Sequence, residues 1–155
     1  MLITRKIEID MGHRIPNHLS KCRNIHGHRY VIEASIEGTL DGTVGSSSQG
    51  MVKDFGDLKA AMMEVIHDVY DHALVLWVLD PLTKLIPQME TAVQGELAIQ
   101  VVSFVPTAEN LARHFFSLLS RHELSVASVV VWETPNCRAE CRAEEEYATG
   151  WRSVE

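Results

Sequence analysis

Apolar residues at Ile3, Ile7, Ile9 and Met11 stand against Lys6, Glu8 and Asp10, a loose period of two that predicts a half-buried strand over residues 3–11. From His28 the alternation is cleaner. Tyr30, Ile32, Ala34 and Ile36 take one face, Glu33, Ser35 and Glu37 the other, and the two strands are expected to pair antiparallel. Gly, Pro, Asn and Ser between them, over residues 12–25, predict a loop across the strand ends. Asp41-Gly42 and the Gly45–Gly50 segment predict turn and flexible loop, ahead of a short apolar piece at Met51-Val52.

A different period follows. Asp54 is a good N-cap, Asp57 suits the first-turn dipole, and Leu58, Ala61, Met62, Val65, Ile66 and Val69 form one helical stripe. Helical spacing makes the methionines core packing rather than a soft-metal or partner surface. Residues 73–105 read as a long excursion: an apolar run Ala73–Leu79, then Pro81 and Pro87, then Leu97–Val105 ending in a strand. Pro106-Thr107 starts a second helix with Leu111, Phe115, Leu118 and Leu119 on its buried side. Val126–Trp132, dense in β-branched residues, predicts a strand, and Cys137 to Tyr147 a last one. The order β-β-α-(β)-α-β-β, without repeats, indicates one α+β domain over residues 1–155 with helices on one sheet face.

Bulk properties narrow the function. The 155 residues are 46% hydrophobic and 23% charged, ordinary for a globular domain, and no run is long enough to span a bilayer. A formal charge of -7 argues against general nucleic-acid binding. A polyanionic substrate would need a local basic cluster; Arg14, Lys21 and Arg23 flank the histidine segment, though such residues ordinarily just solvate a loop. The N-terminal stretch lacks a signal peptide's apolar region, and three cysteines, an odd number, suit reduced thiols in the cytoplasm. Cys137 and Cys141 invite a metal reading, but with no second pair they are taken as ordinary thiols on a late strand.

The chemistry concentrates in Lys21-Cys22-Arg23-Asn24-Ile25-His26-Gly27-His28. In an extended segment His26 and His28 share a face, and Gly27 leaves room for a metal or ligand to approach the backbone. His13 closes the first strand nearby. Three imidazoles with a fourth position open describe a catalytic zinc site rather than a closed structural one. Any one of these histidines alone would be read as a satisfied loop or core residue.

With Asp71-His72 at the first helix's end, Pro106-Thr107-Ala108-Glu109-Asn110 opening the second, and Glu133-Thr134 ending the penultimate strand, the chain resembles the 6-pyruvoyltetrahydropterin synthase family. Within it, three residues between Cys22 and His-Gly-His look like the 6-carboxy-5,6,7,8-tetrahydropterin synthases of the queuosine pathway. The resemblance implies a tunnelling fold, an antiparallel four-stranded sheet with two helices on one face, assembled as a homohexamer of two trimers whose strands close a barrel. It implies Zn²⁺ on His13, His26 and His28, Cys22 as the base, and Asp71 and His72 as a proton relay able to serve a neighbour's zinc. The resemblance also implies Glu133 as the catalytic-site anchor of the pterin, able like the Asp71-His72 pair to serve a neighbour's zinc, with Glu109 and Thr107 near the substrate. The implied reaction converts 7,8-dihydroneopterin triphosphate to 6-carboxy-5,6,7,8-tetrahydropterin, releasing acetaldehyde and triphosphate. Two alternatives stand beside it: 6-pyruvoyltetrahydropterin synthase activity, and a non-catalytic module in which Cys22 is a fourth zinc ligand. Met11-Gly12 before the histidine, the excursion over 77–105 and an acidic tail at Glu144-Glu145-Glu146 depart from the family's pattern.

Overall fold

The computed structural model describes residues 1–144. Strands β1 (Leu2–His13) and β2 (His26–Glu37) form a twelve-residue antiparallel ladder. β2 begins at His26, two residues earlier than the alternation suggests, so both histidines of the motif lie inside the strand. Within the intervening loop, a single 3₁₀ turn spans Lys21–Arg23.

The helical stripe forms one run, α1 (Phe55–Met62), a π turn (Met63–His67) and α2 (Asp68–Tyr70). Asp54 caps it, accepting from Gly56 N–H at 2.6 Å. Leu58, Met62 and Ile66 are fully buried, whereas Val69 is 37% exposed. The π turn explains that miss: a wider turn rotates the last residues off a 3.6-residue stripe.

The excursion contains two more strands, β3 (Leu74–Trp77) and β4 (Ile99–Val102), joined through a 3₁₀ segment (Pro81–Leu85) and α3 (Ile86–Val93). β3 runs parallel to β1 and β4 parallel to β3, which demands such a crossover. α4 (Ala108–Leu119), β5 (Val126–Thr134) and β6 (Cys137–Arg142) complete the order β4-β3-β1-β2-β5-β6. The expected four-stranded antiparallel sheet is therefore a six-stranded mixed one. β4 is the strand expected within Leu97–Val105, whereas the four-residue apolar run of β3 carries too little periodicity to separate strand from buried helix. The last strand ends at Arg142, Ala143 and Glu144 do not continue it, and the part expected over 145–147, with Glu145 and Glu146, lies outside the described residues.

Both long helical runs pack on one face, as the pattern requires. Ile9, Tyr30, Ile32, Val129 and Val131 of the sheet meet Leu58, Met62, Leu111, Phe115 and Leu119 in one core. Phe116 is also buried, while Leu118 packs only partly against that core. Burial pushes the His114 imidazole down to about 4, so it stays neutral while sharing a 2.6 Å hydrogen bond with the Tyr70 hydroxyl. Among the described residues no helix is long and apolar enough to cross a membrane.

Candidate metal centre and its cavity

Strand register assembles the histidines. His13 lies directly across from His26, and Met11 across from His28, so the three imidazoles meet at one end of the β1–β2 ladder. Ring centroids are 4.5 Å apart for His13–His26, 5.3 Å for His13–His28 and 5.1 Å for His26–His28. A donor atom from each falls within 4.8 Å of the others. Gly27 serves this arrangement differently from the sequence reading: a Cβ there would stand 3.0 Å from the Met11 carbonyl oxygen. The close approach that it permits is that of β1, and it keeps the two histidine-bearing strands in register.

The tautomers suit a metal. A carbonyl only accepts, so His13 donates through Nδ1–H to Pro106 O at 2.7 Å, and His26 through Nδ1–H to Asn24 O at 2.8 Å. Each is left with its Nε2 lone pair for a cation, the orientation that such carbonyl partners fix in metal sites. Burial, the largest cause, pushes the His13 imidazole below its ordinary value, outweighing the Pro106 carbonyl, so the neutral, ligating form is favoured. The donor set and its spacing fit a cation such as Zn²⁺, which His13, His26 and His28 would hold through ring nitrogens.

The Pro106-to-Asn110 segment has a visible purpose. Thr107 caps α4, accepting from Asn110 N–H at 3.3 Å, while the Asn110 side-chain amide donates to Val105 O at 2.9 Å. Together they hold the Pro106 carbonyl where His13 needs it.

Cys22 is half-buried on the 3₁₀ turn. Its carbonyl accepts from Ile15 N–H at 2.9 Å, folding the loop back over the end of β1. A cavity of about 300 Å³ is lined by His13, Cys22, Thr107, Glu109, Glu133 and Arg138, among others. Five of the nine residues singled out from sequence thus share one hollow. Glu133 Oε1 lies 3.5 Å from His13 Nε2 and 4.0 Å from His28 Nε2, closer to the trio than a distant substrate anchor would be.

Tyr30 was missed, because its place in the alternation reads as apolar core. Its hydroxyl is 3.1 Å from His13 Nε2 and donates toward Glu133 Oε1 at 3.4 Å. Burial first, then Glu133, raises its pKa far above the ordinary phenol value, so it remains a donor. Period two from His26 and His28 was the available signal. Arg138 and Cys137 in the cavity wall carried no comparable one.

Asp71 and His72 are not brought to Cys22 within the chain. Asp71 accepts from Asp10 N–H at 2.8 Å, and His72 Nδ1–H donates to it at 2.8 Å, leaving His72 Nε2 free. The Asp10 amide chiefly, with His72 adding, holds the Asp71 carboxyl below the usual carboxylate range. The His72 side chain is 78% exposed, at a left-handed φ of 60°. The pair borders a separate hollow of about 220 Å³ with Asp10, Arg29 and His67. The Asp71–His72 pair is built and oriented, but it points outward.

Comparisons with known proteins agree with the motifs. A family model described as 6-pyruvoyl tetrahydropterin synthase matches residues 2–144. The 6-carboxy-5,6,7,8-tetrahydropterin synthase of Rickettsia bellii is 37% identical over 142 residues, covering 88% of this chain and 96% of the relative. The enzyme of the same name from Haemophilus influenzae is 36% identical over 135 residues, covering 86% and 92%. Among solved structures, an uncharacterized protein from Wolinella succinogenes superposes with a TM-score of 0.75 at 26% identity, covering 92% of this chain and 98% of its own. The Caenorhabditis elegans 6-pyruvoyl tetrahydropterin synthase, at 23% identity and a TM-score of 0.66, covers 92% and 95% and shares the fold.

Proposed function

The chain belongs to the 6-pyruvoyl tetrahydropterin synthase family, and from that premise we propose that it is a cytoplasmic, zinc-dependent lyase, a 6-carboxy-5,6,7,8-tetrahydropterin synthase. It converts 7,8-dihydroneopterin triphosphate to 6-carboxy-5,6,7,8-tetrahydropterin, releasing acetaldehyde and triphosphate, toward queuosine or a related 7-deazapurine. The observation carrying this reading is the shared cavity, where Cys22 and Glu133 line the same wall as His13.

His13, His26 and His28 would hold zinc through Nε2 of His13 and His26 and a ring nitrogen of His28. When bound, zinc polarises a side-chain oxygen of the substrate and so acidifies the neighbouring C–H. Glu133 accepts the pterin's amino and ring N–H groups, fixing the ring's orientation, while the Tyr30 hydroxyl steadies the carboxylate. Cys22, as thiolate, takes the proton from the side chain. Thr107 and Glu109 border the substrate at the start of α4.

The outward-facing Asp71–His72 pair supports an assembly reading. We take the functional unit to be a hexamer of two trimers, in which edge strands β4 and β6 find partners and a barrel closes. In that unit His72 of one copy exchanges a proton at the Cys22 cavity of another, with Asp71 setting its tautomer.

Incubating the zinc-loaded protein with 7,8-dihydroneopterin triphosphate and weighing the products separates the two pterin activities. Acetaldehyde in step with 6-carboxy-5,6,7,8-tetrahydropterin is expected. Triphosphate release without acetaldehyde assigns the pyruvoyl reaction instead.

A further inference from the structure

The cavity beside the histidine trio has a charge problem that this substrate class makes acute. The chain carries a formal charge of -7, and two carboxylates, Glu109 and Glu133, line the cavity itself. A triphosphate entering there meets repulsion unless a cation stands at its end of the pocket. Among the described residues lining the cavity, Arg138 is the one permanent cation. Lys21 and Arg23, the basic residues that the sequence places beside Cys22, do not line it.

Arg138 is also held in place. It is the second residue of β6, across a tight connection from the end of β5, where Glu133 lies. Its guanidinium lies over the Trp132 ring at 5.3 Å from the centroid, an attractive cation–π geometry. Nη1 stands 3.7 Å from Glu140 Oε2, near enough to pair electrostatically and too long to consume a hydrogen-bond donor. The side chain is 46% exposed, so the planar fork is stacked, oriented and open to an anion. Guanidinium groups grip phosphate oxygens bidentately, which a flexible ammonium does not.

We propose that Arg138 is the specificity residue that receives the triphosphate tail, so that Glu133 and Arg138, on adjacent strands of one hairpin, measure the substrate from its pterin head to its polyanionic end. The inference rests on the pterin reading for the identity of the head, and on the cavity alone for the anion. Selectivity follows from the distance between two opposite charges: a pterin without phosphates satisfies Glu133 only, and a free polyphosphate Arg138 only.

The test uses the full-length, zinc-loaded protein and its Arg138→Gln and Arg138→Lys variants. We expect Arg138→Gln to raise KM for 7,8-dihydroneopterin triphosphate about ten- to a hundredfold, the worth of charge-assisted hydrogen bonds. Competitive inhibition by 7,8-dihydroneopterin, which keeps the head and lacks the phosphates, should stay within about twofold, with Arg138→Lys recovering part of the loss. Calorimetric binding of inorganic tripolyphosphate should weaken in parallel, with zinc content measured afterwards to exclude chelation. That arm needs no turnover, so it tests Arg138 even if the protein fails to act on the pterin. An unchanged KM, an equal loss of dihydroneopterin inhibition, tripolyphosphate binding that ignores Arg138, or a larger loss from Lys21→Ala or Arg23→Ala would each overturn the proposal.

Discussion

Replacing Cys22 by Ala should lower turnover by about 10³-fold or more while leaving one zinc per chain. A positioned general base contributes about 10²–10⁴-fold, and no other described side chain stands ready to replace Cys22 in that role. Cys22→Ser should fail almost as badly, because a hydroxyl's proton is far harder to lose near neutral pH than a thiol's. Retention of zinc follows from the structure: both ring tautomers that it fixes are set by backbone carbonyls, Pro106 O and Asn24 O, which Cys22 does not touch. The stability cost should be small, since the thiol is only half-buried and makes no core contact. Metal analysis and kcat on the same preparation check the expectation. If zinc and folding disappear together with activity, Cys22 is a fourth ligand and the non-catalytic module is the better description.

The second large effect concerns the pair that faces away from Cys22. His72→Ala alone should be nearly inactive, and so should Cys22→Ala. Co-expressed and assembled together, the two should recover about a quarter of wild-type activity, because in a cyclic assembly that share of randomly formed interfaces joins an intact Cys22 to an intact His72. A chain that used its own Asp71–His72 would show no recovery above either parent. The geometry favours recovery. His72 is anchored by a left-handed backbone, by its amide donating to Asp10 O at 2.7 Å and by Asp71, yet its side chain opens to solvent. Holding an exposed imidazole this firmly has no use to an isolated chain.

The sequence made the histidine cluster legible because the relevant information is local. His26 and His28 are two apart on a strand, and His13 closes the neighbouring strand, so antiparallel pairing alone places all three together. Cys22 was readable through its spacing to them. The helices were readable where the period stayed at 3.6, and not at Val69, where a π turn shifts it. The strand expected within Leu97–Val105 is β4, whereas β3 escaped because it is four residues long and runs into a proline-bearing segment that resembles loop. Tyr30 escaped for a subtler reason. Its ring belongs to the core that alternation predicts, and only its hydroxyl, the last atom of the side chain, reaches His13 and Glu133. Arg138 carried no signal because its role depends on Trp132 stacking and on the hairpin that sets it beside the cavity. Sequence also placed Asp71 and His72 side by side without showing which way they face. Their direction depends on the hydrogen bond that the Asp71 carboxylate accepts from the Asp10 amide, a contact 61 residues away in the chain.

X-ray absorption at the zinc edge on the purified, metal-loaded protein bears most directly on the central claim. Three imidazole nitrogens and one oxygen at about 2.0–2.1 Å, with no sulfur, are expected, leaving Cys22 free to act as the base. A sulfur shell at about 2.3 Å would make Cys22 a ligand, fill the position meant for the substrate and contradict the account.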